Sequence, residues 1–506
     1  MNDNSKLIQN TAILYTRLIF VSVIGLLTSR YILDALGVSD FGLYNVVGGI
    51  VTLMSFLNIV MISTTYRFIA FELATPGEDN VIKVFNISRL IHIFLAFFVI
   101  IFAFTFGIYY IKNFLNIEVG KLNDALFVFT FSVFGIFFSI ITIPFQGLMV
   151  AKEKFNITAI VEILRALLGF LIVFFLINYS GSKLRLYSVL IALVNIIPSI
   201  IYYLYCKKYY SELIKWKLQK EKEKYKEMIK FSGWIMLGAG ASVGETQGTA
   251  LIINSFFGTI LNSSFGIASQ VNSFVKMFSQ SLGQAVVPQI TKSYSSGNND
   301  RVEELVIYTS KYSFFLMLLP VIPLLLETDF VLQLWLNIVP VYTNTFVKIM
   351  LINALISAIS AGMPAVVHAT GKLKYFQIIL SSIMLIGLPI AYFVYTLKAP
   401  PYSILLIYSG TSILMFVVFC ILLKIIINFN IKAFLSKAFL KMIIVVLFLI
   451  PLFLIRDFFE FGISRFIILS IVSVFWTLII VYIFGLEKFE KTSIINFFLK
   501  LKNKIS

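Results

Sequence analysis

The stretch PFQGLMVAKEKF, from Pro144 to Phe155, recurs later in the chain as PAVVHATGKLKY, from Pro364 to Tyr375. The proline and both lysines keep their places, and the last residue is Phe in one copy and Tyr in the other. Two shorter pairs follow in the same order at nearly the same offset: Phe41-Gly42 with Phe265-Gly266, and Ser88-Arg89 with Ser310-Lys311. Two similar halves are the plan of many secondary transporters, whose substrate site lies between the repeats. The sequence therefore predicts a chain built from two related halves.

Composition places this chain in a membrane. Hydrophobic residues make up 59% of the 506 residues, charged residues make up 13%, and the mean hydropathy is +0.95. A soluble domain carries about 25% charged residues, so this chain cannot cover its surface in water. Long apolar runs without alternation favour helices over a membrane barrel. The net charge of +17 lies mostly in short loops, where it orients a membrane protein and does not indicate nucleic-acid binding.

The sequence offers little material for chemistry at a reactive site. Two cysteines and two histidines form no metal-binding motif, and no paired carboxylates or nucleotide-binding loop are present. We therefore expect no metal, no cofactor and no enzymatic activity.

Apolar runs define the predicted spans. A membrane-spanning helix needs about 20 mostly apolar residues, and that criterion predicts an all-α polytopic membrane protein with about fourteen transmembrane helices. The predicted spans are 8–33, 43–69, 87–111, 123–147, 157–178, 185–206, 229–254, 265–290, 304–328, 344–367, 375–397, 402–427, 438–456 and 463–485. Six spans per half give both halves the same direction, which is a parallel repeat.

Lysine and arginine set the predicted orientation. They occur mainly in every second loop, which places those loops and both termini in the cytoplasm. Lys183 and Arg185 are exceptions, since they lie in a loop predicted to be on the outer side. The most basic loop, 207–230, suits either a surface helix on anionic lipid or a solvated connector. The predicted domains are an N-terminal six-helix lobe at 1–206, a basic cytoplasmic linker at 207–228, a C-terminal six-helix lobe at 229–427, and two extra helices with a basic tail at 428–506.

Ionisable residues inside predicted spans are candidate functional residues, because charge in a bilayer is unfavourable. Arg17 and Lys276 lie near mid-depth of spans in opposite halves. Two cations facing one cavity would suit a diphosphate, which needs charge neutralisation and strong hydrogen-bond donors. The alternative is that each side chain snorkels or pairs with a neighbour.

Four further cations lie near span ends. Arg89 and Lys311 occupy matching repeat positions near the cytoplasmic ends of their spans, and His92 follows Arg89 on the same helix face. They could form a vestibule for an anionic headgroup, or they could be ordinary positive-inside anchors. For Arg30 and Arg67, snorkelling and a binding role are both open.

Glu245 is an acid deep in a predicted span without an opposite charge one turn away. It lies in GAGASVGETQGT, whose small residues permit close helix packing. Glu245 could pair with Lys276 or Arg17, or it could carry a coupling proton or sodium ion.

The segment LLTSRYILDALGVSDFGLYNVVGGI, from Leu26 to Ile50, resembles the first hairpin of Wzx-type O-antigen and capsule polysaccharide flippases. The similarity lies in a Leu-Gly-x-x-x-Phe-Gly-x-Tyr turn that begins at Leu36, and PFQGLMVAKEKF resembles a later turn of that family. These flippases belong to the multidrug/oligosaccharidyl-lipid/polysaccharide exporter (MOP) superfamily, which also contains multidrug antiporters and lipid II flippases.

The resemblance implies two six-helix lobes arranged in a V, as in MATE proteins, around a cationic cavity. It implies that undecaprenyl-pyrophosphate-linked oligosaccharide moves from the inner to the outer leaflet of the bacterial cytoplasmic membrane by alternating access. Arg17 and Lys276 match the family's positively lined cavity, and the last two spans resemble a pair that holds the lipid tail. The implied protein is a monomer in membrane lipid, driven by a proton, sodium ion or the membrane potential. It would serve a polysaccharide polymerase and chain-length proteins.

Two other functions are weighed against the flippase. A multidrug antiporter of the same fold requires deep acids for cationic drugs, and Glu245 is the clear example here. A membrane polysaccharide polymerase or ligase would carry a large outer loop with catalytic groups, whereas the predicted outer loops are short.

Overall fold

A computed structural model of the chain describes residues 20–21, 23–73, 79–152, 154–370 and 373–492. The regular structure within these residues is helical. Ten helices in the described part are long and apolar enough to cross a membrane, or eleven if a bent pair forms one span. The prediction of an all-α polytopic membrane protein is therefore confirmed.

The helices are labelled here in chain order. Their bounds are α1, residues 23–36; α2, Val38–Leu73; α3, Asp79–Asn113; α4, Leu122–Ala151; α5, Phe155–Ile177; α6, Lys183–Tyr209; α7, Lys222–Ser295; α8, Asn299–Leu326; α9, Thr328–Trp335; α10, Thr343–Ala358; α11, Met363–Ala369; α12, Leu373–Thr396; α13, Ser403–Ile427; α14, Ile431–Phe458; and α15, Ile463–Gly485.

The predicted spans 229–254 and 265–290 lie on either side of a break in α7 at Gly258, where φ is +80° and the backbone is not helical. One other predicted span differs from the structure. The predicted span 344–367 corresponds to α10 and α11, whose axes differ by 50°. The first predicted span, 8–33, begins outside the described residues, and the other predicted spans each coincide with one helix.

The chain forms two compact units. Unit 1 comprises the residues up to Ile267 together with Leu336–Tyr342 and Gln377–Ile404. Unit 2 comprises Ala268–Trp335, Thr343–Phe376 and the residues from Leu405 onward. The division into lobes at 1–206 and 229–427 stays a prediction.

The repeated proline has a different local role in each copy. Pro144 lies buried inside α4, in the segment that packs against α2 and α3. Pro364 lies in the first turn of α11, just after the 50° bend. Proline is well tolerated in a first turn, where its missing N–H leaves no internal hydrogen bond unmade. The repeat in sequence therefore does not impose the same backbone path on both copies.

The repeated Phe-Gly pairs meet at one helix crossing inside unit 1. At Gly42 of α2, a Cβ atom would lie 1.9 Å from the carbonyl oxygen of Thr259 in α7. At Gly266 of α7, a Cβ atom would lie 2.9 Å from the side-chain nitrogen of Asn45 in α2. Close backbone approach through small residues is a principal way in which helices associate inside lipid. The turn motif noted in the sequence therefore marks a helix contact.

The break in α7 is held by a hydrogen-bonded loop. Asn254 accepts a hydrogen bond from the backbone N–H of Asn116 at 2.9 Å and donates one to the Asn116 carbonyl at 3.1 Å. Asn254 lies about one turn before Gly258 in α7, where the intrahelical ladder is interrupted. The loop after α3 thus fixes the point at which α7 changes direction in unit 1.

We predict that Gly42→Ala destabilises the protein, because the added methyl group has no space beside Thr259. Overpacking of this kind costs about 1–3 kcal/mol. The measurement is thermal unfolding of detergent-purified protein. The matched control is Gly48→Ala in the same helix, where no atom lies within 4 Å of the added Cβ. Equal melting temperatures for the two variants would contradict the proposed crossing.

Candidate functional site

Arg67 of α2 and Arg89 of α3 lie near the same end of unit 1 and rest on aromatic rings. The guanidinium carbon of Arg67 is 4.1 Å from the ring centre of Phe231. That of Arg89 is 4.9 Å from the ring centre of Trp216 and 5.8 Å from that of Phe145. Cation–π contacts hold a guanidinium in place without neutralising its charge. Among the described residues, neither arginine has a carboxylate partner within 4.0 Å, so both charges remain available to an anionic ligand.

The polar residues beside Arg89 are turned into the interior of unit 1. His92 is fully buried, and its Nδ1 lies 2.5 Å from the carbonyl oxygen of Ser88. The Ser88 hydroxyl is 2.7 Å from that of Thr65 in α2. These contacts hold the neighbouring segments of α2 and α3 together. His92 thus contributes to helix packing here, while Arg89 is half-buried at the edge of the unit.

The basic linker after α6 is docked against unit 1. Leu213 and Ile214 are buried in the core that contains Phe145. The Asn86 side chain donates to the carbonyl of Lys215 at 2.9 Å and accepts from the N–H of Lys217 at 3.1 Å. This double hydrogen bond brings Trp216 onto Arg89. The interpretation of the linker as a solvated connector therefore does not describe Leu213 and Ile214, which are buried, while residues 215–217 are docked but exposed.

One ion pair secures the end of the linker to α2. Lys224 Nζ lies 3.1 Å from Glu72 Oε1, and Glu72 is buried. Partial burial favours a lower pKa for Lys224, but the hydrogen bond and the charge of Glu72 outweigh it and raise the pKa above its ordinary value. The Glu72 carboxylate thus pairs with Lys224.

Arg30 lies at the opposite end of unit 1 in a polar network. It donates to the side-chain oxygen of Asn337 at 3.0 Å, and Asn337 donates to Asp34 at 2.5 Å. The nearby Lys121 pairs with Asp40 at 2.6 Å. The structure therefore places Arg30 in a network with Asn337 and Asp34, apart from Arg67 and Arg89.

Lys311 of unit 2 is neutralised by a carboxylate, unlike its repeat partner Arg89. Its side chain is fully buried, and Nζ lies 2.5 Å from Glu490 Oε1. Tyr312 donates to the same oxygen at 2.6 Å, and the Glu487 backbone N–H donates to the other oxygen at 2.6 Å. From the sequence, Arg89 and Lys311 are expected to be equivalent vestibule cations, but their surroundings differ. Lys311 is buried and paired with Glu490, so it has no surface exposed to a ligand.

A second acid–base cluster lies at the C-terminal end of α8. Glu327 is buried, and its Oε1 lies 2.8 Å from Arg465 Nε while its Oε2 accepts from Arg465 at 3.0 Å. Arg456 of α14 is 3.9 Å from the same carboxylate. The first cluster attaches the segment after α15 to the middle of α8, and the second attaches α14 and α15 to its C-terminal end. Sequence reasoning missed the pairs Glu327–Arg465 and Glu490–Lys311, because the partners lie 138 and 179 positions apart in the chain.

Three predicted deep residues stay predictions. Arg17 lies outside the described residues, while Lys276 and Glu245 of α7 are both half-buried. The glycines around Glu245 pack closely on α12: a Cβ at Gly244 would lie 3.1 Å from Leu385, and one at Gly248 would lie 2.8 Å from Leu388. The described residues contain no group of three or more His, Cys, Asp or Glu that could hold a metal ion.

Comparison with known proteins identifies the fold. No protein-family model matches the chain, and no curated protein matches it in sequence. Solved structures do match: the lipid II flippase MurJ in an inward closed conformation is 15% identical, with a TM-score of 0.71 over 94% of this chain and 98% of that one. An inward-facing multidrug resistance MATE transporter of the MOP superfamily is 13% identical, with a TM-score of 0.68 over 81% and 94%. The chain has the MATE and MurJ fold.

A third solved structure has the same fold. The MATE multidrug transporter DinF-BH is 15% identical, with a TM-score of 0.62 over 85% of this chain and 98% of that one. The prediction of a MATE-like fold is therefore confirmed, whereas identities this low do not determine a substrate.

We predict that Glu490→Gln strongly destabilises unit 2, because it leaves the buried Lys311 charge without its partner. Breaking one side of a buried pair costs about 3–5 kcal/mol. Adding Lys311→Met should restore part of that loss, since the uncompensated charge is then gone. Thermal unfolding measures both variants, with Glu304→Gln of the exposed Arg301 pair as the control. If Glu490→Gln alone were as stable as this control, the stabilising role of the Lys311–Glu490 pair would be contradicted.

Acid should weaken the same attachment. Burial favours a higher pKa for Glu490, but hydrogen bonds from the Glu487 N–H, Lys311 and Tyr312 outweigh burial and lower its pKa. A carboxyl with a lowered folded pKa stabilises the fold above its unfolded pKa of about 4.3, and this stability is lost as the pH falls through the folded pKa. We expect stability below about pH 4.3 to decline more steeply in the wild type than in Glu490→Gln. Parallel declines in a pH series of melting temperatures would refute this.

Proposed function

We propose that this protein is a Wzx-type flippase of the MOP superfamily. It moves undecaprenyl-pyrophosphate-linked oligosaccharide units across the bacterial cytoplasmic membrane by alternating access, for O-antigen or capsule synthesis. The observation that carries this proposal is the pair Arg67 and Arg89, whose charges rest on aromatic rings and have no carboxylate partner among the described residues.

The physical problem of such a transporter is the headgroup. A pyrophosphate cannot enter hydrocarbon unaided, because an unpaired charge is very unfavourable there. Guanidinium groups match phosphate oxygens in charge and geometry, and their hydrogen bonds to phosphate are strong. The aromatic ring of Phe231 beside Arg67 offers a flat apolar surface to a sugar ring. The polyprenyl tail can remain in lipid throughout.

The deep cations complete the proposal. We assign Arg17 and Lys276 the role of holding the pyrophosphate after it leaves the cytoplasmic end. Lys311 is given a structural role instead, since Glu490 already neutralises it. Both termini are assigned to the cytoplasm, in keeping with the basic loops.

A MATE-type antiporter is the second candidate. Glu245 is a half-buried acid within a membrane-crossing helix, and acids of that kind suit cationic drugs or a coupling ion. Against it, unneutralised arginines at the end of unit 1 would repel a cationic drug. The structural neighbours are transporters and flippases and not enzymes, which argues against a polymerase or ligase.

We predict that Arg89→Gln and Arg67→Gln each slow translocation of a fluorescent polyprenyl-pyrophosphate oligosaccharide in proteoliposomes. Loss of one charge-assisted hydrogen bond costs about 1.5–3 kcal/mol, which corresponds to roughly a 10–100-fold lower rate at low substrate concentration. A membrane-impermeant quencher added outside reports how much labelled lipid has reached each leaflet.

Arg185→Gln is the matched control, because Arg185 already pairs with Asp124 at 2.5 Å. We expect it to transport at the wild-type rate. Wild-type rates for both Arg67→Gln and Arg89→Gln would overturn the assignment of these cations. Uptake of a cationic dye with no movement of the labelled lipid would favour the antiporter.

A further inference from the structure

The docked linker leaves two large apolar side chains exposed. Trp216 is 48% exposed although it contacts Arg89, and Leu218 is 61% exposed. They alternate along the chain with Lys215 and Lys217, both exposed. Because Leu213 and Ile214 are buried and Asn86 binds the backbone on both sides of Trp216, this arrangement is a fixed surface.

The linker lies between two membrane-crossing helices. It joins the last residue of α6, Tyr209, to α7, which contains the apolar segment Met236–Ser279. Tryptophan is enriched at the membrane–water interface, where its ring can be apolar on one side and polar on the other. The exposed Trp216 and Leu218 of a linker between two membrane-crossing helices can therefore reach the membrane–water interface.

The charge of the same surface is positive. Residues 207–230 contain nine lysines and four glutamates. Two of the glutamates are engaged, since Glu221 pairs with Lys83 at 3.1 Å and Glu227 lies 3.6 Å from Lys224. A basic segment beside a membrane span attracts anionic lipid by about 1 kcal/mol per lysine.

We propose that the linker binds anionic phospholipid headgroups at the cytoplasmic surface of the membrane. Trp216 and Leu218 enter the headgroup region, while Lys215 and Lys217 contact lipid phosphates. The bound lipid is a permanent neighbour of unit 1 and is distinct from the transported substrate.

The test uses full-length protein in nanodiscs of phosphatidylcholine with increasing phosphatidylglycerol, some of the phosphatidylcholine being brominated near the headgroup. Trp216 fluorescence is taken as the difference between the wild type and Trp216→Phe, so the other tryptophans remain in place. We expect this emission to be blue-shifted and quenched by the brominated lipid. The amount of phosphatidylglycerol that gives half of the change should rise roughly fivefold for Lys217→Gln, the equivalent of about 1 kcal/mol.

A second variant provides the control. Lys292→Gln removes an exposed lysine from the last turn of α7 and should leave the titration unchanged. Unquenched Trp216 emission would overturn membrane contact, and quenching that does not depend on phosphatidylglycerol would overturn recognition of anionic lipid. Transport is not measured, so either result leaves the proposed flippase activity to be tested separately.

Discussion

The free energy of placing charge in a bilayer constrains this molecule more than any other factor. In unit 2, Lys311 and Glu327 are buried, and each is paired across a long sequence separation with a residue of opposite charge. Arg67 and Arg89 of unit 1 are treated differently, since aromatic rings hold them and leave their charge in place. The buried charges of unit 2 are thus neutralised, whereas those of Arg67 and Arg89 remain open. That contrast is the physical basis for our proposal that these two arginines contact an anionic substrate.

Backbone contacts support this arrangement. The crossing at Gly42 and Gly266 brings α2 and α7 close together, and the hydrogen bonds from Asn86 bring the linker onto α3. The Asn86 contacts place Trp216 against Arg89 of α3, while the crossing at Gly42 fixes the part of α2 far from Arg67. The acid–base clusters of α8 make the last two helices part of unit 2. The positions of the candidate residues therefore follow from packing that lies outside the site.

Much of the fold could be predicted from the sequence, because a bilayer requires continuous apolar helices of a set length. The bend between α10 and α11 could not, since the predicted span 344–367 runs through it as one apolar segment. The Phe-Gly repeat was visible, but its function as a helix crossing depends on Thr259, which carries no sequence signal. Lys311 matched Arg89 by position, and only the fold brings Glu490 to one and Trp216 to the other. Candidate cations could thus be found from hydropathy, but which of them pair with a carboxylate could not be predicted.

The most direct test of the central claim is the distribution of lipid-linked sugar between the two leaflets in cells that lack this protein. A flippase predicts complete undecaprenyl-pyrophosphate repeat units accumulating on the cytoplasmic leaflet, together with loss of surface polysaccharide. An unchanged pool would contradict the account and favour an antiporter. Single units reaching the outer leaflet without being polymerised would also contradict it, since the missing step would then follow translocation.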